Sequence, residues 1–276
     1  MRSSSAYMHK SRLGQNFLLD PEILDRIVET AAIRPDDTVV EIGPGLGRMT
    51  QLLAAKAKRV IAIELDNKLY QRLLHNLPSG SNIEPVFADC LKYPYENLDR
   101  FKVVANIPYY ITTPIIFKLI ESGDRLLSMT LTVQKEVAKR ITASPGSKEF
   151  GVLSIAVQIK MEPSIEFIIP RGAFRPSPRV DSAVIRIKHR TAPMARIDDD
   201  AHLMKVVRAV FSTRRKTLLN GLKPFGKTDF LRRILAELDI PPQVRPENLD
   251  IQSLAALSNA LKKVAVGHSP PGISRK

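Results

Sequence analysis

The sequence predicts an α/β protein in which a parallel sheet, covered by helices on both faces, is followed by a small all-α domain. Between residues 38 and 134, short apolar runs rich in β-branched residues alternate with segments of helical periodicity. This alternation is typical of βαβ units, whose strands lie parallel and buried. After Arg190 the strand-like runs stop, and segments of helical pattern follow one another.

The same patterns set the boundaries of the predicted elements. Strands are predicted at 38–42, 59–64, 83–88, 101–105, 126–134, 164–169 and 182–188. Helices are predicted at 47–57, 67–77, 113–121, 200–211, 214–221, 228–238 and 247–263. Residues 152–160 fit either period, and we interpret them as a helix.

Three regions are expected along the chain. Residues 1–192 would form the domain that carries the sheet, and residues 193–266 would form a basic helical domain. Residues 267–276 are rich in Pro, Gly and Ser, so we expect a disordered tail.

Composition excludes several classes of protein. The sequence has no window of about 18 apolar residues, which argues against a membrane span, and its first residues do not resemble a secretory signal. We therefore expect a cytoplasmic protein. The single cysteine, Cys90, cannot form an internal disulfide, and the five histidines lack metal-ligand spacing, so no metal site is expected.

The net charge of +14 is unevenly distributed. Residues 25–104 carry eleven basic and eleven acidic residues, whereas residues 171–190 carry six basic and one acidic residue. Residues 201–228 carry seven basic residues and no acidic one. Such clustering indicates a binder of polyanions such as nucleic acid; the alternative is a solvated basic surface.

A glycine-rich turn follows the first predicted strand, with the sequence EIGPGLG at 41–47. Gly43, Gly45 and Gly47 lack a Cβ, so the backbone can pass close to a ligand. The GxGxG spacing is typical of sites for a nucleoside without a pyrophosphate, although dinucleotide-binding enzymes also use glycine turns.

Two acids follow the next two predicted strands. Glu64 lies where an acid commonly binds ribose hydroxyls, and the Asp89 carboxylate can accept a hydrogen bond from an adenine amine. Each could also be a solvated or capping acid. The combination of both acids with the glycine turn, at successive strand ends, favours the nucleoside site.

The sequence NIPYY at 106–110 ends the fourth predicted strand. The Asn106 side chain and the Ile107 backbone carbonyl provide two acceptors for the N–H groups of a base's exocyclic amine. Pro108 stiffens the turn, and Tyr109 provides a ring on which a base can stack. The alternative is an ordinary turn, since Asn and Pro both favour turns.

Phe174 lies in a proline-rich loop and is flanked by arginines. A base leaving its stack could be held between Tyr109 and Phe174, while the arginines hold neighbouring phosphates. The alternative is that Phe174 is a core residue. The flanking cations are Arg171, Arg175 and Arg179.

From about Lys10 to Leu261 the sequence resembles the ribosomal RNA adenine N6,N6-dimethyltransferase family, in its small-subunit (kasugamycin-resistance) type. The segments that carry the resemblance are LGQNFL at 13–18, EIGPGLG at 41–47, IELD at 63–66, ADC at 88–90, NIPYYITTP at 106–114, VQKEVAKR at 133–140, FRPSPRVDSAV at 174–184 and FSTRRKTLLN at 211–220.

The resemblance implies a Rossmann-like sheet that binds S-adenosylmethionine, the methyl donor, and releases S-adenosylhomocysteine. It implies donor-binding roles for Gln15, Asn16, Leu18, Gly43, Gly45, Glu64, Leu65, Asp89, Cys90 and Asn106. It assigns the target adenine to Asn106, Ile107, Pro108, Tyr109 and Phe174. Where many relatives have Gly-Asp, this chain has Ala-Asp followed by Cys90, which we expect to contribute backbone rather than a nucleophilic thiol.

The implied activity is dimethylation of two adjacent adenines in the 3′-terminal hairpin of 16S rRNA, by a monomer acting on the small ribosomal subunit. The related large-subunit (macrolide-resistance) enzymes share the NIPY tetrapeptide, so they stay an alternative. The segments ITTP at 111–114 and FSTRRKTL at 211–218 favour the small-subunit type. A non-catalytic RNA-binding assembly factor or transcription factor is a further alternative, against which the intact site residues argue.

Three further cations, Arg214, Arg215 and Lys216, begin the helix predicted at 214–221. The helix macrodipole disfavours cations at that end by a few tenths of a kcal/mol. We therefore expect RNA phosphate to contact this run.

Overall fold

The structure is a computed structural model that describes residues 15–212 and 216–267. It divides into two compact units. The sheet unit comprises the chain up to Thr142 together with Met161–His189. The helical unit comprises Ala143–Lys160 and the chain from Arg190 onward.

Seven strands form the central sheet of the sheet unit, in the order β4-β3-β2-β5-β6-β9-β7, and two short strands, β1 and β8, pair separately. The strands are β1 (Phe17–Leu18), β2 (Thr38–Ile42), β3 (Arg59–Glu64), β4 (Ile83–Phe87), β5 (Phe101–Asn106), β6 (Leu126–Gln134), β7 (Met161–Ile169), β8 (Phe174–Arg175) and β9 (Ser182–His189). All seven strands that the sequence predicts are confirmed, with boundaries shifted by at most three residues.

Continuous apolar runs explain why the central strands are buried on both faces. In β2, Val40 lies opposite Ile61 of β3 on one side and opposite Val103 of β5 on the other. All three side chains are buried. Strands covered by helices on both faces need such runs rather than an alternating pattern.

The parallel pairing that the βαβ alternation predicts is confirmed for β2 to β6, and the exception in the sheet is β9. Its pairings with β6 and with β7 are both antiparallel, whereas the other strand pairs of this sheet are parallel. A parallel connection needs a crossover, usually a helix. Residues 170–181, which join β7 to β9, contain only the short turn Arg171–Ala173 and β8.

From Gln15 onward, the sheet unit contains five α-helices: α1 (Pro21–Thr30), α2 (Arg48–Ala54), α3 (Asn67–His75), α4 (Thr112–Ile120) and α5 (Lys135–Ile141). The sequence patterns predicted α2, α3 and α4 but not α1 or α5. Local signals for α1 are nevertheless present, because the Asp20 side chain accepts hydrogen bonds from the backbone N–H groups of Glu22 and Ile23. Asp66 caps α3 in the same way.

The helical unit contains α6 (Val152–Gln158), α7 (Asp200–Phe211), α8 (Leu218–Leu222), α9 (Thr228–Glu237) and α10 (Ile251–Gly267). The helical interpretation of 152–160 is therefore confirmed. These helices share one apolar core, to which each contributes buried side chains such as Ile155, Leu203, Leu218, Leu231 and Leu254.

The helix predicted at 214–221 begins later than expected. Thr217 has an extended backbone and precedes Leu218, the first residue of α8. Lys216 therefore lies before the helix, and Arg214 and Arg215 lie outside the described residues. The macrodipole argument for an anion at these three cations consequently has no support in the described helix.

The predicted boundary at 192 differs from the structure in one respect. Residues 143–160 fold with the helical unit, because Phe150, Ile155 and Ile159 are buried in its core. At the other end of the chain, Gly267 is the last residue of α10, and the remainder of the predicted tail lies outside the described residues.

Candidate active site

A pocket of the sheet unit opens where β2, β3, β4 and β5 end. The carboxyl ends of neighbouring parallel strands meet at one edge, which is where open α/β sheets bind ligands. This pocket is lined by thirteen of the residues predicted to bind the donor or the target base. They are Gln15, Asn16, Leu18, Gly43, Gly45, Glu64, Leu65, Asp89, Cys90, Asn106, Ile107, Pro108 and Tyr109.

The glycine turn after β2 forms one wall. Its start is fixed by the Gly43 N–H, which donates to the Ile63 carbonyl at 2.9 Å. Gly45 has a φ of +55°, and a Cβ there would lie 3.2 Å from the Phe17 ring. At Gly43, with a φ of +70°, a Cβ would meet no atom within 4 Å. The backbone at Gly43 is thus open to a ligand, while that at Gly45 packs on Phe17.

Glu64, the last residue of β3, is connected to this turn. Its Oε2 accepts a hydrogen bond from the Gly45 N–H at 3.2 Å, and its Oε1 accepts one from the Asp66 N–H at 2.9 Å. Burial raises the pKa of this carboxyl. Each oxygen keeps a further lone pair, so the side chain can also accept hydrogen bonds from ligand hydroxyls.

Asp89 and Cys90 follow β4. The Asp89 Oδ1 accepts a hydrogen bond from the Leu91 N–H at 2.9 Å, which orients the carboxylate. The Cys90 thiol is buried, and burial, followed by the charge of Asp89, raises its pKa to about 11. A thiol that stays protonated is a poor nucleophile.

Asn106 ends β5 and holds its amide in one orientation. Its Nδ2 donates to the backbone carbonyl of Asn16 at 3.0 Å. Because a carbonyl can only accept, the NH₂ group must face Asn16, and the Oδ1 atom is left as an acceptor. This is the orientation required to accept a hydrogen bond from an amine.

Tyr109 lies in a 3₁₀ turn, Tyr109–Ile111, between β5 and α4. Its hydroxyl is hydrogen bonded to the Ser182 hydroxyl at 2.6 Å, and burial raises its pKa. The preceding Ile107 N–H donates to the Thr132 carbonyl of β6 at 3.3 Å, which holds the start of the turn against the sheet.

The expected role of Phe174 as a cover for the target base is wrong in this structure. Phe174 is 0% exposed and does not line the pocket. It lies opposite Leu18 in the β1–β8 pair, and its ring packs in a core cluster with Leu18 and Ile169. A ring enclosed by core side chains cannot stack on a base.

Glu41 is a pocket residue that the sequence patterns did not single out. It is 0% exposed, lines the pocket, and neither carboxylate oxygen has a hydrogen-bond partner among the described residues. Burial raises its pKa to about 8, and the nearby Glu64 adds a smaller increase. An orphaned buried carboxyl favours a positively charged ligand in this pocket.

Among the cations predicted to bind RNA, those that the structure describes are exposed. In the loop after β7, Arg175 donates to the carbonyls of Gly172 and Phe174, and the Arg171 N–H donates to the Asp181 carboxylate at 3.1 Å. Arg179 and Lys216 are also exposed.

Two kinds of feature are absent from the described residues. None of the described helices is long and apolar enough to cross a membrane. Within residues 15–212 and 216–267, no group of three or more His, Cys, Asp or Glu side chains could hold a metal ion.

The strand order, the glycine turn and the acids at successive strand ends define a Rossmann-like methyltransferase. A model of the family described as "Ribosomal RNA adenine dimethylase" matches residues 7–263. The chain belongs to this family.

Two curated relatives illustrate the similarity. The chain is 44% identical to "Ribosomal RNA small subunit methyltransferase A" of Enterococcus faecalis over 270 residues, which cover 93% of this chain and 92% of that protein. It is 42% identical to the protein of the same name from Moorella thermoacetica over 275 residues, which cover 95% of each chain.

Two solved structures share the fold. A dimethyladenosine transferase from Plasmodium falciparum superposes with a TM-score of 0.80 at 28% identity, covering 90% of this chain and 98% of that one. The 23S rRNA methyltransferase ErmE superposes with a TM-score of 0.69 at 29% identity, covering 90% of this chain and 100% of that one.

Proposed function

We propose that the protein transfers methyl groups from S-adenosylmethionine to the N6 amines of two adjacent adenines in the 3′-terminal hairpin of small-subunit (16S) rRNA. One observation carries the proposal. Asn106, with its amide oxygen left as an acceptor, and Tyr109, with its ring tethered, lie at the end of β5 in the wall of a nucleoside-type pocket.

The chemistry of adenine explains why these groups matter. The lone pair of N6 is delocalised into the ring, so the amine is a weak nucleophile. When the Asn106 Oδ1 and the Ile107 carbonyl accept its two N–H groups, the nitrogen can become pyramidal, and its lone pair is localised toward the methyl donor instead of being delocalised into the ring. No general base is required, because the methylated ammonium is acidic enough to release its proton to water.

The pocket residues fit the proposed donor. Bound S-adenosylmethionine would supply an electrophilic methyl group on a sulfonium. Glu64 would hold the ribose and Asp89 the adenine amine. The open backbone at Gly43 and the orphaned carboxyl of Glu41 suit the cationic methionine end. The described chemistry calls for no metal ion.

RNA recognition would rest on charge and stacking. Extruding a base costs about a few kcal/mol, and stacking on an aromatic ring contributes about 1–3 kcal/mol in return. In this structure the ring of Tyr109 lines the pocket, whereas Phe174 lies in the core. Phosphates would be held by the exposed cations of the loop after β7 and by the basic run Arg214, Arg215 and Lys216.

The small-subunit substrate is favoured over the large-subunit alternative by the relatives. Those named for the small subunit reach 42–44% identity, whereas ErmE shares 29%. We propose that the protein acts as a monomer in the cytoplasm, where small subunits assemble.

The decisive experiment incubates the protein with labelled donor and undermethylated small subunits, followed by nucleoside analysis. We expect N6,N6-dimethyladenosine at two adjacent positions. Asn106→Ala serves as the inactive control, and 23S rRNA as the competing substrate. Labelling of 23S rRNA alone would transfer the assignment to the large-subunit type, and no labelling would leave an RNA-binding factor.

A further inference from the structure

The tether between Tyr109 and Ser182 joins the turn after β5 to a strand distant in sequence. The two hydroxyl oxygens lie 2.6 Å apart, a short hydrogen bond in which either group could be the donor. Ser182 is 0% exposed. Ser182 lies within residues 174–184, which contribute to the family resemblance, yet the site as described so far gives it no role.

Ser182 is held rigidly by its own backbone. As the first residue of β9, it lies opposite Gln134 of β6 on one side and Ile169 of β7 on the other. The residue before it is also fixed, because the Asp181 carbonyl accepts a hydrogen bond from the Lys135 N–H at 3.0 Å. The serine hydroxyl is therefore a fixed point of the sheet.

Tyr109 itself lies in a less constrained element. Its 3₁₀ turn has no side-chain capping hydrogen bond. A tyrosine ring anchored only at its Cα can move about χ1, but a second anchor at the hydroxyl fixes the axis of the ring. Ser182 supplies that second anchor. The tether thus holds the ring in one place.

We propose that Ser182 is a positioning residue for methyl transfer: it holds the Tyr109 ring where the extruded adenine must stack, so that N6 meets the Asn106 oxygen. This inference rests on the proposed function. Preorganised groups accelerate a reaction because no reorganisation is needed when the substrate arrives.

The position of Ser182 along the chain gives the tether a second effect. The loop with Arg171, Arg175 and Arg179 ends at this serine, and Asp181 closes that loop by accepting from the Arg171 N–H. The cations proposed to hold flanking phosphates and the ring proposed to hold the base are therefore anchored at one point of β9.

The test compares Ser182→Ala and Tyr109→Phe with the double variant. Each single change removes one end of the tether, and we expect kcat to fall about five- to tenfold, the size typical of one net hydrogen bond. The KM for small subunits and the Kd for the donor should stay within about twofold. The double variant should be no slower than the slower single variant, because the two changes break the same contact.

A matched control and a rescue separate positioning from a structural effect. Ser128 is also a buried serine of the β6–β9 ladder but lies at its opposite end, opposite Lys188. Ser128→Ala should leave kcat unchanged. Ser182→Thr keeps the hydroxyl, so its kcat should be close to that of the wild type rather than to that of Ser182→Ala. If Ser182→Ala fails to fold, Tyr109→Phe with and without Ser182→Thr decides the question.

The outcomes distinguish this inference from the proposed function. A wild-type protein that labels no adenine contradicts the proposed function itself. An active wild type with an equally active Ser182→Ala overturns the positioning role alone. So does a double variant whose loss equals the product of the two single losses, because the residues would then act independently.

Discussion

The two polar groups of the Asn106 side chain have different partners in the proposed mechanism. Its NH₂ group is engaged by the Asn16 carbonyl, and its oxygen is left for the target amine. We expect Asn106→Ala to lower kcat by about two to three orders of magnitude, as for loss of a preorganised polar group. Donor affinity should change little. Turnover on small subunits and donor calorimetry would be measured together.

Asn82 offers a matched control for this substitution. Its Nδ2 also donates to backbone carbonyls, those of Ala54 and Ala57, but it does not line the pocket. Asn82→Ala should keep wild-type turnover. Substantial turnover by Asn106→Ala would contradict the assigned role.

Glu64 should matter for the donor rather than for the RNA. Glu64→Ala removes a charge-assisted acceptor, which contributes roughly 1.5–3 kcal/mol to binding, so the donor Kd should rise at least tenfold. Calorimetry with the donor alone measures this. Glu84→Ala, in the neighbouring strand β4, is the control, since Glu84 is exposed and paired with Arg59. An unchanged Kd would make Glu64 a purely structural acid.

Glu41 makes stability depend on pH. Its pKa is 4.5 as a free side chain and about 8 in the folded protein, so folding favours the protonated form. The stabilisation is complete below the lower value and is lost as the pH rises through the higher one. Glu41→Gln, which never ionises, should therefore gain on the wild type between about pH 5 and pH 8, by at most a few kcal/mol.

This pH effect is measured by denaturant unfolding of the donor-free protein. Glu29→Gln, an exposed acid at the end of α1, should show the wild-type pH profile. If the free energy of unfolding depends on pH in the same way for Glu41→Gln and the wild type, the Glu41 carboxyl has the same pKa in the folded and the unfolded protein, which would contradict this prediction.

The sequence was sufficient to predict those site residues whose roles follow from type and position. Glu64 and Asn106 each end a strand, Asp89 follows one closely, and the ends of parallel strands meet. Glu41 was not predicted, because the absence of a hydrogen-bond partner is a property of packing. Phe174 was predicted wrongly, because its burial depends on the β1–β8 pairing between distant segments.

At the scale of elements, the glycine turn is the most constrained connection to the pocket. Gly45→Ala would face both a positive φ and a Phe17 ring 3.2 Å from the new Cβ. We expect lower stability, by more than the ~1–2 kcal/mol that a left-handed backbone costs a residue with a Cβ, and weaker donor binding. Thermal unfolding and calorimetry would be compared.

Gly80 isolates the first of these effects, the cost of a positive φ for a residue with a Cβ. Its φ of +74° imposes the same backbone cost, but no atom lies within 4 Å of its Cβ position. Gly80→Ala should lose only the backbone contribution and should bind the donor normally. Equal losses in the two variants would show that contact with Phe17 is unimportant.

Elements with strong periodicity were predictable, and those that depend on partners were not. The buried apolar runs of β2, β3, β5 and β6 can be recognised from the local sequence. The direction of β9 does not, because nothing within Ser182–His189 specifies which way the strand enters the sheet. The start of α8 was misplaced because Thr217 adopts an extended conformation that helical periodicity does not reveal.

At the scale of the whole molecule, the basic run proposed to contact RNA lies outside the charge-balanced stretch 25–104, which contains most of the proposed donor-binding residues. Replacing Arg214, Arg215 and Lys216 with Gln should weaken binding to small subunits. The slope of log affinity against log salt should fall by up to about 2–3, since each phosphate contact contributes roughly 0.7–0.9. Donor affinity should not change.

An equal loss of charge elsewhere tests whether position matters. Lys56, Lys58 and Lys68 are exposed cations of the charge-balanced stretch 25–104. Their replacement with Gln should leave the salt slope nearly unchanged. Similar slopes for the two triple variants would mean that the basic run is a solvated surface.

The helical unit is assembled from two stretches of chain, and this has a consequence for synthesis. Phe150, Ile155 and Ile159 leave the ribosome long before residues 203–261, which supply most of their core partners. At roughly 5–20 residues per second, about a hundred residues take on the order of ten seconds to emerge. Throughout that interval these apolar side chains have no finished core to enter, so the nascent chain depends on chaperones or fast completion to stay soluble.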